Sequence, residues 1–181
     1  MTATEVLKHE HKIVLLILGV AKREAQYIQD TGHMDSEKLD KILDFFKVFV
    51  DQCHHGKEEE YLFPKMQEKG LPAQGGPIAV MLQEHERGRQ RVKAIGETLI
   101  QAKAGDIQAK AALAVNLCAY IEHLQAHIDK ENDVLFPMAD QLFTPDDQLA
   151  LVEAFEKHEA EEIGEGVHEK FHQLAHELTK G

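Results

Sequence analysis

HHGKEEEYLFP (residues 54–64) and HIDKENDVLFP (residues 127–137) are two versions of one segment. Aligned without a gap, they share His, Lys, Glu, Leu, Phe and Pro at the same offsets. His54 aligns with His127 and Glu58 with Glu131, and each His–Glu pair is four residues apart. Because residues i and i+4 leave the same face of a helix, each segment predicts an imidazole stacked beside a carboxylate. Such a pair, present twice, indicates a candidate set of metal ligands.

The sequence around these segments has a helical pattern throughout. Apolar residues recur at steps of three and four, and no strand-like alternation competes with them. Four helices are predicted: from the cap Thr2 to about Asp30, from the cap Ser36 to Pro64, from Pro77 to just before Gly105, and from the cap Asp106 to Pro137. Each proline after Leu-Phe is expected to bend or interrupt its helix.

Two histidines outside the paired segments complete a repeat. His11 lies 43 residues before His54, His85 lies 42 residues before His127, and both follow a glutamate. If each pair of helices forms an antiparallel hairpin, its two histidines lie at one level, about 27–29 Å from the turn at about 1.5 Å per residue. Packing two such hairpins together predicts an all-α, up-down-up-down four-helix bundle with four imidazoles and two carboxylates in one layer.

The donor set distinguishes between several kinds of site. A lone histidine on an apolar helix face is more often a hydrogen-bonded core residue than a ligand, but here two core-facing glutamates accompany the histidines. Unpaired buried carboxylates are costly, so a purely structural role is disfavoured. Six donors are more than one tetrahedral zinc ion needs, and they suit two octahedral ions bridged by carboxylates. Mixed nitrogen and oxygen ligands of this kind favour iron first and manganese second, and zinc is also possible. Ferritin-like bundles carry Glu-x-x-His pairs instead, so a ferritin-like site is disfavoured.

Composition narrows the possible partners. The chain of 181 residues has a formal net charge of −12 and no long run of Lys or Arg, which argues against binding to nucleic acid or an anionic membrane surface. The apolar run at residues 13–20 is too short to span a bilayer, and no signal-peptide pattern is present. Two cysteines on different predicted helices fit a reducing compartment. A cytoplasmic location is therefore expected.

The C-terminal part of the chain is expected to be an addition to the bundle. We expect residues 1–140 to form the bundle and residues 141–181 to form a further helix or helix pair packed on it. This helix begins at Thr144-Pro145 and is interrupted near Gly164 or Gly166. It carries further donors at helical spacing: His158, Glu162, His168, His172 and His176. Either a second metal site or a solvated helix on the side of the bundle fits this pattern.

The paired segments resemble those of the hemerythrin family, specifically its bacterial hemerythrin-like (HHE) cation-binding branch, over about residues 5–140. The resemblance implies an up-down four-helix bundle that holds two iron ions (Fe²⁺/Fe³⁺, oxo- or hydroxo-bridged). Carried over by position, it implies His11 and His54 on one iron, His85 and His127 on the other, and Glu58 and Glu131 as bridges.

The sequence departs from the oxygen-carrying members of this family at two positions. Arg89 stands where those members have a second third-helix histidine, and Asn132 stands where they tend to have Asp. A fifth imidazole is therefore missing or comes from elsewhere, and His123 and His55 are the candidates. These departures argue against reversible oxygen carriage.

Three functional hypotheses follow. An iron pair with fewer protein ligands leaves positions for water, O₂, NO or peroxide, and Gly88 either makes room for such a ligand or allows close helix packing. The first hypothesis is a protein that binds or senses O₂ or NO, or that handles oxidative or nitrosative stress. The second is an enzyme that reduces peroxide or NO or repairs iron centres. The third is an iron-handling or iron-sensing module whose fold depends on metal.

Overall fold

The computed structural model describes residues 1–180, in which all regular secondary structure is helical. The first hairpin consists of α1 (Ala3–Thr31) and α2, which is α-helical over Ser36–Asp44, π-helical over Phe45–His55 and Glu58–Leu62, and α-helical again over Phe63–Glu68. The second hairpin consists of α3 (Pro77–Lys103) and α4 (Ile107–Lys130), which continues as the π-helical Glu131–Leu135 and the α-helical Phe136–Leu142. Helix α5 (Pro145–His158) continues as the π-helical Glu159–Gly164, and α6 spans Val167–Lys180. The prediction of an all-α helical bundle is confirmed.

The helix ends follow the local sequence closely. Helix α1 begins at a capping box in which Thr2 Oγ1 accepts from the Glu5 N–H (3.2 Å) and Glu5 accepts from the Thr2 N–H (2.7 Å). It ends at Gly32, whose φ of 69° lies in the left-handed region that favours glycine. The predicted cap of α2 is wrong by one residue, because Asp35 accepts from the Lys38 N–H (3.0 Å) while Ser36 is already helical.

Pro64 and Pro137 do not end their helices. The turn before each proline is π-helical, and the N–H groups of Phe63 and Phe136 bond to carbonyls five residues earlier. Proline has no N–H for the regular α-helical ladder, and the widened turn accommodates this while the chain stays helical. The predicted interruption is thus a π turn that begins at each candidate ligand glutamate, and such turns are frequent at functional sites.

Two apolar clusters fill the bundle, and the candidate ligands lie between them along all four long helices. The larger cluster lies toward the hairpin turns and is built around Phe45, Phe46 and Phe49. The smaller cluster lies toward the opposite end and contains Phe63 and Phe136. The polar layer is therefore enclosed by apolar packing above and below.

The C-terminal helices take part in this core. Helix α5 adds Leu151 and Phe155 to the smaller cluster, and α6 adds Phe171 and Ala175 to the larger one. Gly164 and Gly166 both adopt positive φ, as expected for the predicted interruption between these helices. Within residues 1–180 no helix is both long and apolar enough to cross a membrane.

Candidate metal centre

The structure brings the six predicted donors together in one buried layer. Each of the six is at most 2% exposed: His11, His54, Glu58, His85, His127 and Glu131. Nε2 of His11 lies 3.0 Å from Nε2 of His54. In the other hairpin, Nε2 of His85 lies 3.2 Å from Nε2 of His127. The four histidines therefore meet in two facing pairs, one from each hairpin.

The two glutamates connect these pairs. One potential ligand atom from each of His11, His54, Glu58 and Glu131 lies within 4.8 Å of the others, and the same holds for His55, Glu58, His85 and His127. Glu58 thus belongs to both groups. Glu131 also reaches both, with Oε2 3.1 Å from Nε2 of His11 and Oε1 3.0 Å from Nε2 of His127. The geometry is that of two half-sites joined by two carboxylates.

A second ring of oxygens orients the imidazoles. The outward Nδ1 of each histidine contacts a side-chain oxygen at 2.7–2.8 Å. The pairs are His11 with Asn132, His54 with Glu10, His85 with Glu59, and His127 with Glu84. Such partners fix the tautomer and ring orientation of metal-binding histidines.

These partners decide where the imidazole protons lie. A carboxylate or an amide oxygen only accepts hydrogen bonds, so each Nδ1 must carry the proton, and the neutral imidazole then presents an unprotonated Nε2. Each facing pair of Nε2 atoms therefore directs two lone pairs at the same small space. Two imidazole nitrogens bound at right angles about 2.1 Å from one ion would lie about 3.0 Å apart. The spacing in both half-sites fits a shared cation.

The carboxylates add an unsatisfied negative charge. The four side-chain oxygens of Glu58 and Glu131 are buried and have no hydrogen-bond donor within residues 1–180 when Nε2 is unprotonated. In the metal-free protein, burial opposes charge on His127, but the Glu131 carboxylate raises its pKa to about 9. Burial likewise opposes ionisation of Glu131, yet His127 and His11 hold the pKa of that carboxyl well below its usual value. The layer requires positive charge, as protons or as metal ions, and its mixed N/O donors suit iron.

The Leu-Phe-Pro part of each segment supports the histidine of the opposite hairpin. Phe63 stacks on His85 with ring centroids 5.8 Å apart, and Phe136 stacks on His11 at 5.4 Å. Each duplicated segment therefore supplies two donors to the centre and one aromatic wall to the other half-site.

The two candidates for a fifth imidazole lie in different environments. His55 is buried, stacks on His85 (ring centroids 3.8 Å apart), and has no hydrogen-bond partner on either nitrogen within residues 1–180. Burial and the neighbouring histidines keep its pKa well below the usual value, so it stays neutral with a free lone pair. His123 lies outside both groups, and its Nε2 contacts the Glu84 carbonyl at 2.9 Å. The geometry favours His55.

The two departures from the oxygen carriers have structural roles. Arg89 donates to Asp51 (2.9 Å) and to Glu59 (2.6 Å), the same carboxylate that holds Nδ1 of His85. Asn132 holds Nδ1 of His11 and occupies the offset in the second segment that Glu59 occupies in the first. Asn132 thus belongs to the ring of oxygens that orients the imidazoles, and Arg89 supports that ring through Glu59.

A cavity of about 430 Å³ lies between α2 and α3, and it approaches the centre at His55, while none of the six donors lines it. Its walls are mainly apolar, and His55 and Gly88 are among the residues that line it. A Cβ atom at Gly88 would lie 3.6 Å from Nε2 of His123, an ordinary contact, so close packing does not by itself require glycine there.

The C-terminal histidines do not form the site that their helical spacing suggested. Within residues 1–180, the groups of donors at metal-binding distance include neither His158 with Glu162 nor His168 with its neighbours His172 and His176. Nε2 of His158 instead bonds to the Gln52 carbonyl (2.9 Å). His168 faces Glu10, which places it beside the first half-site.

Residues 2–139 match the sequence model of a family described as the hemerythrin HHE cation-binding domain. The chain belongs to this family. The resemblance inferred from the paired segments is thereby confirmed, and the match covers the helices that carry all six donors.

Several proteins with related sequences are known. The chain is 30% identical over 138 residues to the iron-sulfur cluster repair protein YtfE of Escherichia coli, a match that covers 73% of this chain and 60% of YtfE. It is 27% identical over 165 residues to an uncharacterized protein of Mycobacterium tuberculosis, covering 91% of this chain and 64% of that protein. The chain therefore spans less than two thirds of both relatives. No solved structure matches it significantly.

Proposed function

We propose that this protein holds a pair of iron ions that binds or senses a small molecule, O₂, NO or peroxide, in the response to oxidative or nitrosative stress. One observation carries the proposal. Two pairs of histidines face each other through Nε2, and between the pairs lie the buried carboxylates of Glu58 and Glu131, which lack hydrogen-bond donors. Leaving such carboxylates unpaired in a core is costly, and two cations would remove that cost.

Each group of residues has a distinct task in this proposal. His11 and His54 would hold one iron, His85 and His127 the other, with Glu58 and Glu131 between them and His55 as a fifth imidazole. When bound, an iron pair supplies one-electron redox steps and an open position for a small ligand. The outer oxygens hold the imidazole rings in place, and the two apolar clusters keep bulk water away from the layer.

The cavity beside His55 gives the small molecule a route to the centre. It lies between two helices of different hairpins, and His55 and Gly88 are in its wall. An apolar wall suits the passage of O₂ or NO, since neither molecule needs hydrogen bonds along the way.

A second candidate function is catalytic. The similarity to YtfE, an iron-sulfur cluster repair protein, favours repair of iron centres or reduction of NO or peroxide. The match covers 60% of YtfE, so the repair activity of the whole YtfE protein is only proposed, and not established, for this chain. The cytoplasmic location predicted from the sequence likewise stays a prediction.

Rapid mixing separates the two candidates. The reduced, iron-loaded protein is mixed in turn with O₂, NO and peroxide while its optical spectrum is followed. Binding or sensing predicts a stable spectral change with one of these molecules and no multiple turnover. Repeated consumption of NO or peroxide would establish the enzyme instead, and no spectral response to any of the three would contradict both.

A further inference from the structure

A buried lysine connects the C-terminal segment (Pro145–Lys180) to the first half-site, which is the His11–His54 pair. Lys57, three residues after His54, is fully buried, and its ammonium pairs with the carboxylates of Glu10 and Glu159. The ammonium also lies 5.9 Å from the centre of the Phe155 ring. A buried ammonium is stable only with such partners, so Glu159 on the C-terminal segment is part of its support.

Glu10 carries this network to a candidate ligand. One of its oxygens accepts from Nδ1 of His54 at 2.7 Å. The other is shared between the Lys57 ammonium and Nε2 of His168, which lies 3.0 Å away. The negative charge of Glu10 is therefore divided among three donors, two of which depend on the C-terminal segment.

The second half-site contains the same glutamate–lysine pair, but the C-terminal segment does not cover it. Glu84 accepts from Nδ1 of His127 (2.8 Å) and pairs with Lys130, the counterpart of Lys57. The side chain of Lys130 is 51% exposed, whereas that of Lys57 is not exposed at all. The duplication supplied both half-sites with Glu, His and Lys, and the C-terminal segment covers only the first.

This cluster does not hold a third metal ion. Atoms of Glu10, Cys53, Glu159 and His168 lie within 4.8 Å of one another, which is compatible with metal binding. The Lys57 ammonium, however, already pairs with both carboxylates of that set. The group is a charge network around a lysine.

We propose that Glu159 and His168 are positioning residues for the metal centre, which act through Lys57 and Glu10 on His54 and make the two iron sites electronically different. This inference rests on the proposed iron pair. A carboxylate on Nδ1 makes an imidazole a stronger donor, and partners of this kind change metal affinity by about 10–100-fold. Whatever draws charge from Glu10 weakens His54 as a donor to ferric iron.

The two residues act in opposite directions. Glu159 draws Lys57 away from Glu10, so Glu159→Gln leaves the ammonium to Glu10 alone and weakens the donation from His54. The reduction potential of the iron pair should then rise. His168 donates to Glu10, so His168→Leu returns charge to that carboxylate, and the potential should fall. Both residues are partly exposed, so both variants are expected to fold.

The experiment measures iron content and reduction potential in the full-length, iron-loaded wild type and three variants. The matched control is Glu162→Gln, which removes the same charge from an exposed position three residues after Glu159. Glu159→Gln should lower the ratio of ferric to ferrous affinity about tenfold, which raises the reduction potential by about 59 mV for a one-electron couple. His168→Leu should shift the potential downward, and the control should leave it unchanged.

The outcomes separate this inference from the proposed function. A wild type without iron overturns both. A wild type that holds iron overturns the inference alone if Glu159→Gln shifts the potential no more than Glu162→Gln does. Shifts of the same sign in Glu159→Gln and His168→Leu also overturn it, because general loosening of the C-terminal segment would act in one direction.

Discussion

Replacing Gly56 by alanine tests how tightly the C-terminal segment packs on the first half-site. Gly56 lies between His55 and Lys57, and its backbone is ordinary helix with φ of −58°. A Cβ atom there would lie 2.8 Å from Nε2 and 3.0 Å from Cε1 of His158. Because this backbone conformation suits alanine as well as glycine, the substitution introduces no backbone strain, and any destabilisation must come from the contact with His158.

The magnitude follows from two opposing effects. Alanine is more favourable than glycine in a helix by about 1 kcal/mol. Against this, His158 must move away, which costs about 1–3 kcal/mol for overpacking, and its bond to the Gln52 carbonyl is weakened at a cost of about 1–3 kcal/mol. We expect Gly56→Ala to destabilise the fold by about 1–5 kcal/mol, and each kcal/mol should lower the melting temperature by roughly 2–4 °C for a chain of this size.

Gly19→Ala is the matched control. Gly19 lies within α1, and an added Cβ would meet only the end of the Arg23 side chain, at 3.9 Å. This variant should be as stable as the wild type or more stable by up to about 1 kcal/mol. Thermal unfolding of both variants in the same metal state measures the difference. Equal stability of Gly56→Ala and Gly19→Ala would refute the close contact between α5 and the half-site.

Three further changes test the centre. His55→Ala should reduce iron retention and alter the optical spectrum. His123→Ala, which loses a contact with the Glu84 carbonyl and a stack on His127 (ring centroids 6.5 Å apart) but lies outside both donor groups, should change neither; the reverse result would make His123 the fifth imidazole. The free energy of unfolding of the metal-free protein, measured with urea, should fall by on the order of 3 kcal/mol between about pH 6.5 and pH 9. The reason is that His127 has a pKa of about 9 in the folded protein and keeps a proton that the unfolded chain releases near the ordinary histidine pKa; a flat profile would contradict this. Gly88→Leu narrows the cavity and should slow NO binding without changing the iron content, whereas Gly88→Ala should bind NO as fast as the wild type. Equal NO-binding rates in Gly88→Leu and the wild type would place the entry route elsewhere.

The duplicated segments made the polar layer predictable. The positions of His11 and His54 depend on two local quantities, the rise of a helix and the distance of each residue from its hairpin turn, and both can be read from sequence. The capping box at Thr2 and the left-handed Gly32 are equally local. The predicted convergence of four imidazoles and two carboxylates therefore agrees with the structure.

The surroundings of the layer were less predictable because they depend on contacts between helices. In the sequence, Glu10 and Glu84 are only matching residues before histidines, but in the structure each holds the Nδ1 of a histidine on another helix. The orientation of His55 could not be derived either, because a face drawn at 3.6 residues per turn does not hold through the π-helical Phe45–His55. The contact of Glu159 with Lys57 spans 102 residues and left no local signal.

Iron content tests the central claim most directly. Untreated wild-type protein should contain about two iron ions per chain, as expected for a di-iron bundle. Replacing Glu58 by alanine removes the carboxylate common to both groups of donors and should remove most of that iron. A wild type without iron, or a Glu58→Ala variant that keeps its full complement, would contradict the account.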